Sequence, residues 1–150
     1  QLRPQVLGRL RDGLIAFSQN YDHVLLDMAA GVDAAALADH DGRTIVVVAP
    51  VPTSITGAYA FIKLHRQRRP AAKIDIVINQ SGDRHEGQRT FDSIRRACES
   101  FLKFSPPLLG MVRRDRNVTA AIREQKPLLT RYPLASASED VLAIAARLIG

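Results

Sequence analysis

A short apolar segment that ends in a carboxylate is the part of this sequence best suited to chemistry. Residues 23–27 have the composition of a β-strand, with Asp27 as the last residue and Gly31 a few positions later. Ligands of open α/β sheets bind beyond the carboxyl ends of parallel strands. Asp27 could therefore hold Mg²⁺, directly or through water, while the backbone at Gly31 contacts the terminal phosphate of a nucleotide. The residues alone leave open a second interpretation, in which Asp27 only caps the following turn.

Two more polar side chains follow predicted strands. Asn79 ends the strand predicted at 74–79, and Asp115 closely follows the strand predicted at 108–112. An asparagine amide offers donors and an acceptor that match the edge of an adenine, and a carboxylate can accept from the adenine amino group. Since the carboxyl ends of parallel strands meet at one edge of a sheet, we expect Asp27, Asn79 and Asp115 to face one cleft.

The spacing of apolar residues alternates between helical and strand periods, which is typical of βαβ units. We therefore predict an α/β fold: a three-layer, doubly wound and mostly parallel sheet of four or more strands, with helices on both faces. Thr53 or Ser54 should cap one helix, and Ser136 with Glu139 forms a predicted capping box at another. The predicted strands are 23–27, 43–49, 74–79 and 108–112, and the predicted helices are 3–20, 34–39, 53–65, 87–103, 117–124 and 136–148.

Length and composition indicate a single domain over residues 1–150. The hydrophobic share of 46% suffices for a core, and no apolar run approaches the roughly 20 residues of a membrane-spanning helix. Cys98 is the only cysteine, which excludes a disulfide framework within the chain and suits a reducing cytosol, and its helical spacing predicts a core position. The four histidines lack metal-ligand spacing. The chain begins with Gln1, and we expect further sequence upstream of it.

The net charge of +6 permits a phosphate-rich partner, whether a nucleotide, a nucleic acid or an anionic membrane surface. Basic residues are densest at 63–69 and 113–116. The first group lies at the end of a predicted helix, where cations are favoured by the helix dipole. We therefore prefer a solvated helix end to a nucleic-acid patch for that group.

Several segments in order resemble the second half of a MinD/ParA-type ATPase, and most closely its FlhG branch, also called YlxH or FleN. The resemblance covers nearly the whole chain, and its collinear order makes it specific to the superfamily. The segments that carry it are 21–31 (YDHVLLDMAAG), 49–63 (APVPTSITGAYAFIK), 77–80 (VINQ), 109–115 (LGMVRRD), 125–129 (QKPLL) and 132–137 (YPLASA).

The resemblance implies a partial P-loop NTPase fold, with residues 1–150 as the C-terminal portion of one MinD-like ATPase domain. It gives Asp27 the catalytic, Walker B-like role beside Mg²⁺, Gly31 the γ-phosphate contact and Asn79 the adenine contact. The base pocket would be completed by Val112, Arg113 and Asp115. The family has proline in place of Arg113, so this arginine could alter adenine packing or add a cation near phosphate.

A phosphate-binding loop of the form G-x-x-x-x-G-K-[ST] is missing from the sequence, because none of its four lysines follows a glycine. Members of the family place this loop before the region that the chain resembles. We therefore expect the full-length protein to bind and hydrolyse ATP with Mg²⁺, whereas the 150-residue chain alone is inactive.

The resemblance further implies an ATP-driven switch that forms a nucleotide-dependent homodimer and regulates flagellar number and placement. An FlhF-type GTPase, flagellar switch proteins or a transcription activator are the implied partners. A cytoplasmic location follows, with peripheral contact at the inner membrane or cell pole as an option. Two alternatives stay open: a ParA-like ATPase that partitions DNA or cargo, for which nucleic acid is the less favoured partner, and an interaction module without a P-loop.

Overall fold

The computed structural model describes residues 4–28 and 42–149. The predicted helix at 34–39 and the predicted phosphate contact at Gly31 lie outside these residues. The described elements alternate between helix and strand through the central part of the chain, as the sequence predicts. In order they are α1 Pro4–Ser18, β1 Arg43–Val48, α2 Pro52–Arg68, β2 Lys73–Ser81, α3 Arg84–Leu102, β3 Leu108–Arg113, α4 Arg116–Arg123, α5 Leu128–Arg131 and α6 Ser136–Ile149.

The three strands form one parallel sheet in the order β1-β2-β3. Val46 of β1 is in register with Ile76 of β2, and Ile78 of β2 is in register with Met111 of β3. A bulge shifts the β2–β3 register after Ile76. Helices connect consecutive strands, as parallel neighbours require, and the predicted α/β class is confirmed.

The prediction of a strand at 23–27 is wrong, and the described residues form three strands in place of the predicted four or more. Residues 23–28 have no regular secondary structure, and the side chain of Leu25 is 86% exposed. A strand exists only through hydrogen bonds to a neighbouring strand. Among residues 42–149, β1 pairs only with β2, so the apolar composition of 23–27 finds no pairing partner there.

The larger hydrophobic core lies between one face of the sheet and helices α2 and α3. Ile76 and Ile78 of β2 are fully buried there, as is Ile62 of α2, and burying a side chain of this size stabilises a fold by about 1.5–3 kcal/mol. Cys98 of α3 lies in the same cluster, which confirms its predicted core position. Burial raises the pKa of the Cys98 thiol to about 11.

The other face of the sheet is covered by α6, which packs on β3. Gly110 permits this close approach, since a Cβ atom at that position would overlap the side chain of Ile144. Helices therefore lie on both faces of the sheet, and the predicted three-layer arrangement is confirmed. The helix does not extend over β1, whose Val47 is 57% exposed.

The start of α2 differs from the sequence prediction. The helix begins with Pro52, and the preceding Val51 makes no side-chain capping bond. Proline suits the first helical position because its fixed φ is helical and the missing N–H is not needed there. The Ser54 hydroxyl oxygen instead accepts from the backbone N–H of Ala49, at 3.0 Å, and joins the helix to the end of β1. No helix in the described part of the chain is long and apolar enough to cross a lipid bilayer.

Candidate functional site

Asn79 and Asp115 lie at the same edge of the sheet. Ser81, at the end of β2, is in parallel register with Arg113, at the end of β3. Asn79 lies two residues before Ser81, and Asp115 lies two residues after Arg113. Both are therefore at the carboxyl ends of neighbouring strands. Asp27 is exposed, and no hydrogen bond or ion pair within the described ranges joins it to this edge.

The side chain of Asn79 is half-buried and held by its own backbone. Its Oδ1 accepts from the N–H of Gln80 at 2.9 Å, and Gln80 has the left-handed φ of 59°. The guanidinium of Arg114 donates to the Gln80 carbonyl at 3.4 Å. These contacts use one lone pair of the Asn79 amide oxygen. Its second lone pair and its N–H₂ group keep the donor and acceptor pattern that an adenine edge requires.

Asp115 joins two helices to the edge of the sheet. Its Oδ1 accepts from the N–H of Asn117 at 2.8 Å, which caps α4. Its Oδ2 accepts from the Ser136 hydroxyl at 2.9 Å and from the N–H of Ala137 at 3.2 Å, in the first turn of α6. The capping box predicted for Ser136 and Glu139 is therefore wrong, because Ser136 donates to Asp115 and Glu139 N–H bonds the Ala135 carbonyl.

The pKa of the Asp115 carboxyl is lower than the ordinary value. The hydrogen bond from the N–H of Asn117 is the main cause, since it stabilises the carboxylate form. Burial opposes this effect, while the bonds from Ala137 and Ser136 add to it. Asp115 is therefore a carboxylate at neutral pH, with both oxygens engaged in holding α4 and α6.

Arg113 points toward α6 and binds Asp140. Its Nε lies 2.8 Å from Asp140 Oδ2, its Nη2 lies 2.9 Å from Oδ1, and its backbone N–H donates to Oδ2 at 2.9 Å. Side-chain bonding to Asp140 raises the pKa of Arg113. Burial alone raises the pKa of Asp140, but the bonds from Arg113 outweigh it and make the net pKa lower than usual. The adjacent Val112 carbonyl accepts from the Ser81 hydroxyl at 3.5 Å.

A cavity of about 330 Å³ opens beside the outer edge of β3, between α3 and α6. Its lining includes Arg84, Met111, Arg113, Asp140 and Arg147, but neither Asn79 nor Asp115. Arg147 donates to the Leu109 carbonyl at 2.6 Å, and Asp140 accepts from the Arg113 N–H. Two side chains of α6 thus bond backbone groups of the edge strand β3. These bonds limit the pairing of β3 with a further strand.

The described residues fit the base of a nucleotide better than its phosphates. Asn79 and the Val112 carbonyl offer hydrogen-bonding groups of the kind that read a base edge. No group of three or more histidine, cysteine or acidic side chains that could hold a metal ion occurs within residues 4–28 and 42–149. The sequence has no phosphate-binding loop of the form G-x-x-x-x-G-K-[ST].

Comparisons with known proteins agree with this fold. No protein-family model matches the chain. Antiactivator FleN of Pseudomonas aeruginosa is 27% identical over 146 residues, which are 96% of this chain and 52% of that protein. An ATP-binding protein of Methanocaldococcus jannaschii is 30% identical over 145 residues, 95% of this chain and 52% of that protein. Flagellum site-determining protein YlxH of Helicobacter pylori is 24% identical over 131 residues, which are 85% of this chain and 44% of that protein.

Two solved structures share the fold. The MinD cell division protein of Aquifex aeolicus superposes with a TM-score of 0.67 at 22% identity, covering 93% of this chain and 58% of that one. The cell division ATPase MinD of Pyrococcus furiosus superposes with a TM-score of 0.71 at 16% identity, covering 93% of this chain and 56% of that one. The chain thus spans about half the length of the proteins it matches.

The parallel sheet with helices on both faces, together with these superpositions, shows that the chain has the α/β fold of the MinD structures. The sequence matches to FleN and YlxH agree with this fold. Over most of its length the chain resembles the FlhG branch of the MinD/ParA-type P-loop ATPases, through its similarity to FleN and YlxH.

Proposed function

We propose that this chain is the base-binding half of an ATP-dependent switch protein that hydrolyses ATP and regulates flagellar number or placement. The position of Asn79 beside Asp115, at the carboxyl ends of neighbouring parallel strands, is the observation that carries the proposal. The printed names of its relatives, an antiactivator FleN and a flagellum site-determining protein, supply the cellular role. The ATP-binding relative and the MinD ATPase supply the nucleotide.

Each residue of the site has a role in this proposal. Asn79 reads the adenine through its amide, and the backbone at Val112 adds a contact to the base. Asp115 and Arg113 position this edge, because their side chains bind α4 and α6. Asp27 binds Mg²⁺, directly or through water, and Gly31 contacts the γ-phosphate through its backbone. When bound, Mg²⁺ neutralises charge that develops on the phosphates.

The test of this proposal is the ATP affinity of the full-length protein with Asn79→Asp. This change keeps the shape of the side chain and removes both N–H donors, so we expect the Kd for ATP to rise about tenfold or more. The Kd for GTP should change less, because guanine does not present the adenine pattern. Gln67→Glu, the same chemical change on the exposed surface of α2, is the control. Equal ATP affinity of wild type and Asn79→Asp would contradict the adenine role.

The role of Asp27 needs a separate measurement. We expect Asp27→Asn in the full-length protein to lower Mg²⁺-dependent ATP hydrolysis at least about a hundredfold, because it removes the charge that holds the ion. Asp22→Asn, in the same exposed segment, is the matched control. Hydrolysis that is unchanged in Asp27→Asn would remove this residue from the site.

The proposed switch acts as a nucleotide-dependent homodimer that binds an FlhF-type GTPase, flagellar switch proteins or a transcription activator, with peripheral contact at the inner membrane or cell pole. The mass of the full-length protein in solution, measured with and without ATP, tests whether the homodimer forms. A dimer only with ATP supports it. A monomer under both conditions contradicts it and favours an interaction module that needs no dimer.

A further inference from the structure

We propose that the cavity between α3 and α6 binds an elongated aliphatic dicarboxylate, a small molecule with one carboxylate at each end. The cavity has a volume of about 330 Å³, which is within the size range of ligand pockets. Helices bound it on two sides, and bonds from α6 to the backbone of β3 limit the addition of a strand there. A small molecule is therefore the occupant that fits. The proposal does not depend on nucleotide binding, because neither Asn79 nor Asp115 lines the cavity.

The side chains along the walls of the cavity belong to one stripe of each helix. Those of α6 recur at helical spacing and are Asp140, Ala143, Ile144 and Arg147. Those of α3 are Arg84 and Gln88, one helical turn apart. Between the helices, the floor consists of Leu108, Gly110 and Met111 of β3. The cavity thus runs along β3, and each of its two ends has a guanidinium group.

The end of the cavity beside the carboxyl end of β3 has one uncompensated cation, Arg84. Asp140 balances the charge of Arg113, and Glu139, the other carboxylate near Arg113, does not line the cavity. Arg84 makes no hydrogen bond or ion pair with its guanidinium in the part of the chain that the structure describes. Burial raises the pKa of Asp140, the bonds from Arg113 lower it, and the charge of Arg84 lowers it further. Arg84 is therefore within electrostatic range of Asp140 and keeps its own donors for a ligand.

The other end of the cavity has Arg147, seven residues after Asp140 on the same helix. Because α-helices rise by about 1.5 Å per residue, the two ends are about 10 Å apart. Arg147 Nη1 donates to the Leu109 carbonyl at 2.6 Å, and no carboxylate within residues 4–28 and 42–149 forms an ion pair with Arg147. A neutral carbonyl holds the guanidinium in place without cancelling its charge, and the other N–H groups can bind a carboxylate in pairs. Each end thus has a single net positive charge, which one carboxylate balances.

The middle of the cavity is apolar and suits an aliphatic chain. Met111 and Ile144 line it, and the missing side chain of Gly110 lets Ile144 lie close against the strand. No aromatic ring is among the described residues that line the cavity, so a nucleotide base would find no ring on which to stack. An aliphatic molecule with carboxylates about 10 Å apart, the spacing of the two ends along α6, therefore matches the cavity better than a nucleotide does.

A titration with nonanedioate tests this inference on the full-length protein without nucleotide. The chain of this probe has about nine carbons and spans about 10 Å when extended. Binding is measured by NMR on isotope-labelled methionine methyl groups, with the Met111 signal assigned through Met111→Leu. We expect a saturable shift of the Met111 signal with a Kd of about 1 mM or lower. Butanedioate is too short to reach both ends and nonanoate lacks one carboxylate, so each should bind at least about tenfold more weakly.

Variants at the two ends of the cavity are compared with matched controls outside it. Arg84→Gln and Arg147→Gln should each raise the Kd for nonanedioate at least about tenfold. Arg84→Gln removes no hydrogen bond or ion pair of the described fold, whereas Arg147→Gln loses the bond to the Leu109 carbonyl, so the melting temperature of each variant is measured as well. Arg89→Gln on α3 and Arg123→Gln on α4 remove exposed charges that do not line the cavity. Both controls should leave the Kd unchanged.

Three results would overturn the inference. The first is an unchanged Met111 signal at about 10 mM nonanedioate, a concentration that would nearly saturate a site of the expected affinity. The second is an equal Kd for nonanedioate in Arg84→Gln and wild type. The third is binding of nonanoate as tight as that of nonanedioate, since only one end of the cavity would then contact an anion. Because the assay contains no nucleotide, a failure of ATP binding or hydrolysis would not affect these outcomes.

Discussion

Asp140 on α6 accepts three hydrogen bonds from Arg113 at the end of β3, two from the guanidinium and one from the backbone N–H. The contact attaches the last helix to the edge strand at the same end of the sheet as the candidate site. Asp115, two residues after Arg113, attaches α4 and the first turn of α6 in the same way. The helices around the proposed base pocket are therefore held by carboxylates, and four predictions follow from this edge and the core beneath it.

Removal of the Asp140 carboxylate should destabilise the domain. We expect Asp140→Ala to lower the free energy of unfolding by about 1–2 kcal/mol, because a backbone N–H and a guanidinium lose their acceptor. Urea unfolding measures this change. The control is Glu139→Gln, since Glu139 is 62% exposed and 3.5 Å from Arg113. Its effect should stay within about 0.5 kcal/mol, as for other exposed ion pairs. Equal losses in the two variants would contradict the role of Asp140.

Stability should fall in acid because Asp140 and Asp115 have lowered pKa values in the folded protein. A carboxyl with a lowered folded pKa contributes stability above its unfolded pKa, near 3.8, and loses it as pH falls through the folded pKa. The difference in unfolding free energy between wild type and Asp140→Asn should therefore be largest near neutral pH and shrink below about pH 4. Urea unfolding from pH 3 to pH 7 measures this difference in free energy. A difference that does not change with pH would contradict the role of the Asp140 charge.

Gly110→Ala should weaken the packing of α6 on the sheet. The new Cβ overlaps Ile144, so we expect a loss of about 1–3 kcal/mol in the free energy of unfolding. The double variant Gly110→Ala, Ile144→Ala should lose less than the sum of the two single variants, because the overlap is relieved. Gly57→Ala on α2 is the control: a Cβ there meets no atom within 4 Å, and helix propensity predicts a gain of up to about 1 kcal/mol. If the stability losses of the two single variants simply add up in the double variant, overlap with Ile144 is not the cause of the loss in Gly110→Ala.

Cys98 should be inert to thiol reagents while the domain is folded. Its pKa of about 11 leaves roughly a hundredfold less thiolate at neutral pH than the ordinary value of 9.0, and the side chain is fully buried. We expect labelling by a chromogenic disulfide at pH 7.5 to be slower than in urea by at least about a hundredfold. Rapid labelling of the native protein would show that this part of α3 opens readily.

The β-branched strands could be predicted from the sequence because the signal is local. The predictions at 43–49, 74–79 and 108–112 agree with β1, β2 and β3 to within two residues at each end. A short apolar run bounded by turn residues is typical of a buried strand. The same reasoning failed for 23–27, since an apolar run becomes a strand only beside another strand, and composition does not say whether that neighbour is present.

The sequence by itself determined the α/β class, the core position of Cys98 and the order of the strand ends that carry Asn79 and Asp115. Only the tertiary structure decided that Asp115 caps α6 in place of Ser136 and that Arg113 turns toward Asp140. The reason is physical: burial periodicity and strand propensity act over a few neighbouring residues, whereas a carboxylate bonds whichever donors the folded chain brings within reach. Those donors are more than twenty positions away in the sequence, and their approach depends on how α6 lies on the sheet.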